Sequence, residues 1–336
     1  ALSELDILAD VSGAAIDSVK ARKEFNSETY WGIGQYVFKV TSGGGNLDYV
    51  ADVGATITDF ETSVGTNLYI TIGDGANYYF MTTSEVFTQK NKAGTFLLHY
   101  DGKLVIADSA GNVEYSADPN AGSPTWTDGD DNGSLADVLD DNDLQSLFLY
   151  RDAAGEDIPY AGTKKGVWAY DLTNTKWLQT ELKLPNHPNG GKGAVVWREG
   201  AYVASGLHID RYRTGQAQAT INSVGLDEDD GLPIEYDGEI VDLIGGYSEF
   251  FALVDSTQTS GTSTSSIYAK TELGWHCIWI GDSTEKAMNR GIVTTSPAYR
   301  FWWDHDDKLY WIQLHRSIQH PRKISGYTFG TSGVHI

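Results

Sequence analysis

Cysteine is almost missing from this chain. Cys277 is the sole one among 336 residues, so no intrachain disulfide forms and no multi-cysteine zinc site exists. Basic residues are scarce too: Lys and Arg total 24 against 46 Asp and Glu, a formal charge of −22. Such a chain repels phosphate backbones unless a basic patch gathers somewhere. The two basic runs, Lys164-Lys165 and His320-Pro321-Arg322-Lys323, are short and isolated, so nucleic acid is not an expected partner. No apolar run nears the roughly 18 residues that span a bilayer, and no membrane partner is expected either. The chain starts at Ala1, and its first residues lack the basic and apolar regions of a signal peptide. That points to a processed start or to a piece of a longer chain.

Aromatic residues and glycine are plentiful. Trp, Tyr and Phe make up 12% of the chain and Gly contributes 37 residues, enough to bury a core and offset chain entropy. The first stretch, residues 2–23, carries Leu5, Leu8, Ile16 and Val19 near one helical face, interrupted at Ser12-Gly13. It is expected to be a helical or extended lead-in, residues 1–24. After Phe25 the chain reads as short strands bounded by Gly, Asn, Asp and Ser.

These strands recur as a strand-turn-strand unit. Leu68-Tyr69-Ile70-Thr71-Ile72, a Gly/Asp/Asn turn and Tyr78-Tyr79-Phe80-Met81 form the clearest copy. Taking Tyr69, Val105, Phe148, Tyr202, Phe251 and Trp302 as equivalent marks, the mean step is about 47 residues, within the roughly 40–50 of a β-propeller blade. A β-sandwich has no need of one signature six times, and a β-helix repeats at a shorter period. The expected fold is therefore an all-β β-propeller over residues 25–336. Six blades are expected, with the strands in 30–53 completing the last blade so that both termini seal the ring. Seven is the alternative count.

Local motifs carry resemblances. Gly166-Val167-Trp168-Ala169-Tyr170-Asp171, Thr173-Asn174-Thr175-Lys176-Trp177 and the strand Ala201-Tyr202-Val203-Ala204 together resemble a kelch-type blade, with Ser205-Gly206 where that family has a double glycine. Asp118 followed by Ser123-Pro124-Thr125-Trp126 is similar to a lengthened Asp-box hairpin of sialidases, a structural motif there. A third resemblance runs from about Phe25 to the end. Its residues are Tyr30-Trp31-Gly32-Ile33-Gly34, Tyr36-Val37-Phe38-Lys39, Val50-Ala51-Asp52, Ile57-Thr58-Asp59-Phe60, Leu68-Tyr69-Ile70, Asn77-Tyr78-Tyr79 and later Tyr115-Ser116 to Trp126. This order resembles the propeller proteins of tailed-bacteriophage virions. The resemblance implies a structural or tail-associated protein in a virion or extracellular setting. Its partners would be other virion proteins or a host-surface glycan, within a larger complex.

Candidate chemistry is thin. Asp128-Gly129-Asp130-Asp131-Asn132-Gly133 matches the first half of a calcium loop, whose alternate oxygens converge on one ion while the glycine turns sharply. Leu139 stands where the closing Glu belongs, so Asp137 or Asp140 would have to substitute. The proposed Ca²⁺ ligands are Asp128, Asp130, Asn132 and Asp137, and the competing reading is a solvated acidic loop. A second acidic run, Leu226-Asp227-Glu228-Asp229-Asp230-Gly231, lacks ligand spacing. Asp304-His305-Asp306-Asp307 suits a metal or an acid/base pair but reads as a hairpin turn. His315 and His320 lack partner ligands. No Gly-x-Ser-x-Gly elbow occurs, and Cys277, in Trp275-His276-Cys277-Ile278-Trp279, reads as an inert strand thiol. Trp302, Trp303 and Trp311 are concentrated enough to stack on a sugar or partner, or else to pack blades together. No catalytic residues are nominated. The expected function is a non-catalytic structural or attachment module, and the alternative is an extracellular carbohydrate-binding or glycoside-hydrolysing propeller.

Overall fold

The structure is a computed structural model that describes residues 3–6, 19–40, 47–63, 67–129, 134–137, 139, 144–171, 173–215, 218–228, 238–257, 264–271, 274–281, 287–295, 298–306 and 308–314. Among these residues, strands fall into seven antiparallel four-stranded sheets. The chain opens with β1 (Ser3–Asp6). Blade 1 is β2 (Val19–Phe25), β3 (Glu28–Ile33), β4 (Tyr36–Val40) and β5 (Leu47–Asp52). Blade 2 is β6 (Asp59–Ser63), β7 (Asn67–Thr71), β8 (Gly73–Met81) and β9 (Phe87–Gly94), and blade 3 is β10 (Phe96–Tyr100), β11 (Lys103–Ala107), β12 (Val113–Ser116) and β13 (Thr127–Asp128). Blade 4 comprises β14 (Leu144–Arg151), β15 (Asp157–Thr163), β16 (Gly166–Asp171) and β17 (Lys176–Lys183). Blade 5 comprises β18 (Val195–Trp197), β19 (Gly200–Ser205), β20 (His208–Arg213) and β21 (Thr220–Ser223). Blade 6 is β22 (Glu239–Gly245), β23 (Phe250–Asp255), β24 (Ser266–Thr271) and β25 (Gly274–Ile280). Blade 7 has β26 (Gly291–Thr294), β27 (Arg300–His305) and β28 (Lys308–Gln313), completed by β1 at its outer edge.

The first strand of each blade touches the first strand of the next, and β26 touches β2, so the first strands surround a central axis. The expected six blades are corrected to seven. Residues 30–53 do not complete the last sheet; with β2 they make a blade of their own. The sealing strand is β1, paired Ser3↔Trp311 through Asp6↔Lys308. Of the stretch 1–24 read as a lead-in, Ser3–Asp6 and Val19–Phe25 are thus strands of the ring. The marks used for counting show why one blade escaped notice. Tyr69, Val105, Tyr202, Phe251 and Trp302 all lie on second strands, but Phe148 lies on a first strand opposite Tyr160, and Trp31 is the unmarked seventh equivalent.

The core lies between blades. Buried apolar side chains form seven clusters, and each joins two adjacent blades. Inner strands are consequently buried on both faces; β7 and β19 are buried at every position. Between blades 6 and 7 the rings of Phe251 and Phe301 stack at 4.1 Å with planes 3° apart. Between blades 5 and 6 Trp197 stacks on Phe250 at 5.1 Å. Each such ring is worth about 1.5–3 kcal/mol by burial alone. In blade 4 the Asp171 carboxylate accepts from the backbone N–H of Thr173 and Asn174 and shapes the hairpin, while Trp177 packs in the cluster shared with blade 3.

Deleting residues 1–6 removes β1 and leaves β28 as an unpaired edge. Differential scanning calorimetry should show the melting temperature lower by about 5 °C.

Candidate functional site

Charged residues are costly on innermost strands, yet several converge on the axis. β2 reads Val19-Lys20-Ala21-Arg22-Lys23-Glu24-Phe25 and β22 reads Glu239-Ile240-Val241-Asp242-Leu243-Ile244-Gly245. Each carries a bulge beside its charged residue, between Val19 and Ala21 and between Ile240 and Asp242, which re-aims side chains. The Asp242 side chain is 1% exposed and takes Arg22 Nη2 at 2.7 Å, while Arg290 Nη1 stands at 3.8 Å. The second donor to Asp242 Oδ2 is the Gly291 N–H at 2.9 Å. Arg22 also donates its Nε to the Gly291 carbonyl, and Arg290 donates its Nε to the Lys20 carbonyl. Blades 6, 7 and 1 are therefore clasped at the axis by two guanidinium groups and one carboxylate.

Arg290 is aimed by a buried acid behind it. Asp304, at the end of β27, accepts from the Asn289 N–H at 3.0 Å, the Arg290 N–H at 2.6 Å and Asn289 Nδ2 at 2.7 Å. Burial pushes its carboxyl up to about 6, although those donors favour the charge. Asp59 behaves alike at the joint between blades 2 and 3. It accepts from the N–H groups of Leu97 and Phe60, and burial again pushes it up to about 6. Lys192 enters from the loop before β18, in Asn189-Gly190-Gly191-Lys192-Gly193. Gly193 has φ +67°, and a Cβ there would sit 2.8 Å from the Asp242 Cα, so only glycine lets this loop reach the axis.

The turns joining first to second strands share one face of the wheel, and neighbouring blades are tied together along it. Lys23 pairs with Glu61 at 2.5 Å. Glu24 accepts from Thr295 N–H and Oγ1, and Tyr299 Oη donates to Glu249 at 2.7 Å. Trp197 Nε1 donates to the Gly246 carbonyl and Arg198 to the Ser248 carbonyl. Tyr150 Oη donates to the Glu199 carbonyl. On the hairpin between β22 and β23 the Tyr247 N–H donates to Tyr299 Oη at 2.6 Å while its ring is 67% exposed.

The residues nominated from sequence are distributed unevenly. Asp128 and Asp137 line one groove of about 510 Å³ with Asp108, Asn112 and Glu114. Of these, Asp108 already accepts from Asn112 and Glu114 pairs with Lys92. Asp130 and Asn132 lie outside the described residues, as do Asp307, His315 and His320; no three-residue metal group occurs among the described residues. Trp302 and Trp303 are buried, Trp302 against Trp31 of blade 1 and Trp303 against Trp279 of blade 6. Trp311 is half-buried under the Arg300 guanidinium, 3.8 Å from its ring. All three sit in the packing of blade 7. Asp306 takes φ 58° in the turn before β28. Cys277 is half-buried, with burial pushing its thiol up to about 11, which makes it a poor nucleophile. His208 stands between Asp227 at 2.8 Å and Asp210 at 3.1 Å; burial opposes its charge, but the two carboxylates outweigh it and raise its pKa.

Sequence reasoning overlooked Arg22, Asp242, Lys192, Arg290 and Tyr247. The available signals were lone charges inside otherwise apolar strands and a lysine set among three glycines.

Removing one partner from a buried ion cluster leaves uncompensated charge. Asp242→Ala should cost about 3–5 kcal/mol in urea unfolding, and adding Arg22→Met should recover part of the loss, read as coupling in a double-mutant cycle. Asp59 and Asp304 titrate near 6 when folded against 3.8 ordinarily. Their contribution to stability is thus present at low pH and lost as pH rises through 6. Asp59→Asn should flatten the decline of melting temperature between about pH 4 and 6.

No protein-family model and no curated protein matches the sequence. Solved structures do match in fold. Virginiamycin B lyase from Staphylococcus aureus aligns at 9% identity over 94% of this chain and 99% of that chain, with a TM-score of 0.66. YCF48 from Cyanidioschyzon merolae aligns at 9% identity over 93% and 98%, TM-score 0.64, and it also matches with a D1 peptide bound. A chain of the mitotic checkpoint complex aligns at 12% identity over 93% and 94%, TM-score 0.62. At such identities the likeness establishes the fold alone, and the chain is a seven-bladed β-propeller.

Proposed function

We propose that this propeller is a non-catalytic binding platform: a rigid wheel that presents its first-turn face to protein or glycan partners inside a larger assembly. The observation that carries the reading is Tyr247. Its ring is 67% exposed while the hairpin bearing it is pinned from blade 5 through Gly246 and Ser248 and from blade 7 through Tyr299. A rigid, exposed aromatic contributes contact area at low entropic cost, the usual property of an anchor residue. Beside it, the Arg198 guanidinium lies 4.3 Å over Trp197, adding a cation to the same patch. At the axis Arg22, Arg290 and Asp242 join blades 6, 7 and 1, as a scaffold requires. YCF48 with its D1 peptide and the mitotic checkpoint complex are examples of propellers in protein-binding roles. The assembly proposed is a phage-like virion or tail, on the strength of the sequence resemblance.

Glycan-array binding and immunogold electron microscopy of particles from the native source test this. Gold on particles or tails, or a glycan signal that Tyr247→Ala lowers at least tenfold without changing the melting temperature, supports the platform. Antigen confined to free monomers together with an empty array overturns it. Turnover of a model glycoside would replace it with the glycoside-hydrolysing alternative.

A further inference from the structure

The loop joining β12 to β13 leaves blade 3, reaches across to blade 2 and is fastened there. Its residues 118–121 form a turn in which the Ala121 N–H donates to the Asp118 carbonyl. Three side chains of blade 2 hold that turn. Tyr69 Oη donates to Asn120 Oδ1 at 2.7 Å, Tyr78 Oη to the Pro119 carbonyl, and Lys90 Nζ to the Ala121 carbonyl at 2.7 Å. Trp126, just before β13, packs edge-on against Tyr78 with ring centres 5.8 Å apart. Between the fastened loop and strands β8 and β9 lies a cavity of about 340 Å³. Asn77, Gln89 and Asn91 line it from blade 2, and Ser123 and Pro124 line it from the loop. Among the described residues, the three carboxamides and the Ser123 hydroxyl make no side-chain hydrogen bond.

We propose that this cavity is a binding site for a neutral saccharide unit, with Asn77, Gln89 and Asn91 reading its hydroxyls. A carboxamide offers an acceptor oxygen and two N–H donors, the complement of neighbouring hydroxyls that each donate and accept. The lining holds no carboxylate, so a cationic ligand finds no counter-charge there. Its one cation, Lys90, is engaged with the Ala121 carbonyl and stands 5.6 Å over the Phe80 ring. A chain of charge −22 repels acidic sugars as well. Pro124 supplies an apolar ring for the C–H face of a pyranose, and small-molecule sites begin near about 300 Å³. The clamping bonds fix both walls before a ligand arrives, which lowers the ordering cost of binding. The site lies on the seam of blades 2 and 3, whereas Tyr247 belongs to the β22–β23 hairpin of blade 6. It therefore does not rest on the turn-face patch proposed above.

Saturation-transfer difference NMR tests it, with the methyl glycosides of glucose, galactose, mannose and N-acetylglucosamine as probes. The side-chain amide resonances of ¹⁵N-labelled protein are read in the same titrations. At least one glycoside should receive saturation and shift the amides of Asn77, Gln89 and Asn91. Gln89→Ala and Asn91→Ala, both at exposed positions, should each weaken that binding about threefold or more and leave the melting temperature unchanged. Tyr247→Ala should bind as wild type does, which separates this site from the turn face. No saturation of any glycoside, undiminished binding in the Gln89→Ala/Asn91→Ala double variant, or binding lost in Tyr247→Ala overturns the site. Trialanine shifting the same amides where no glycoside does identifies a peptide-binding cleft and overturns it too.

Discussion

A four-stranded sheet that is apolar on both faces is stable only between two others like it. That constraint governs the whole molecule. Each of the seven apolar clusters is shared by two blades, so no blade owns a core, and an open row of blades would leave two greasy faces in water. Closure is the solution, and the chain achieves it by placing β1 beside β28. The same requirement explains why the largest rings, Trp31, Trp302 and Trp303 among them, are fully buried: they pack between neighbouring blades.

Near the axis polar groups also join the blades. Asp59, Ser146 and Asp242 each reach from one blade toward the start of the next, to Leu97, Gly191 and Gly291 respectively. Burying a carboxylate is expensive unless donors surround it. Asp242 meets that condition at Oδ2, which takes Arg22 and the Gly291 N–H, while Oδ1 has only the Arg290 charge at 3.8 Å. A buried ion cluster is weak support for stability but a strong device for register, because only the correct closure pairs all three charges.

The two ends of the wheel differ accordingly. The first-turn face is bound blade to blade by side chains gripping neighbouring backbone carbonyls, and this stiffens Tyr247 and its surroundings. Blades 2 and 3 carry an acidic groove lined by Asp108, Glu114, Asp128 and Asp137.

Much of this was readable in the sequence. The roughly 47-residue spacing of strand-turn-strand units and the Asp171 hairpin follow from local pattern and composition, since turn residues and strand periodicity are short-range properties. The blade count was not readable, because β1 has four residues and its strand identity comes entirely from pairing with β28, some 300 residues away. Nor was the destination of the Trp302, Trp303 and Trp311 rings, since a sequence shows that aromatics are crowded but not which face meets which. What the sequence by itself determined was an acidic, disulfide-free, all-β repeat protein. Only the tertiary structure decided that seven blades close the ring and that Arg22, Lys192, Asp242 and Arg290 meet at one axis, because rotation about that axis brings together residues as much as 270 positions apart.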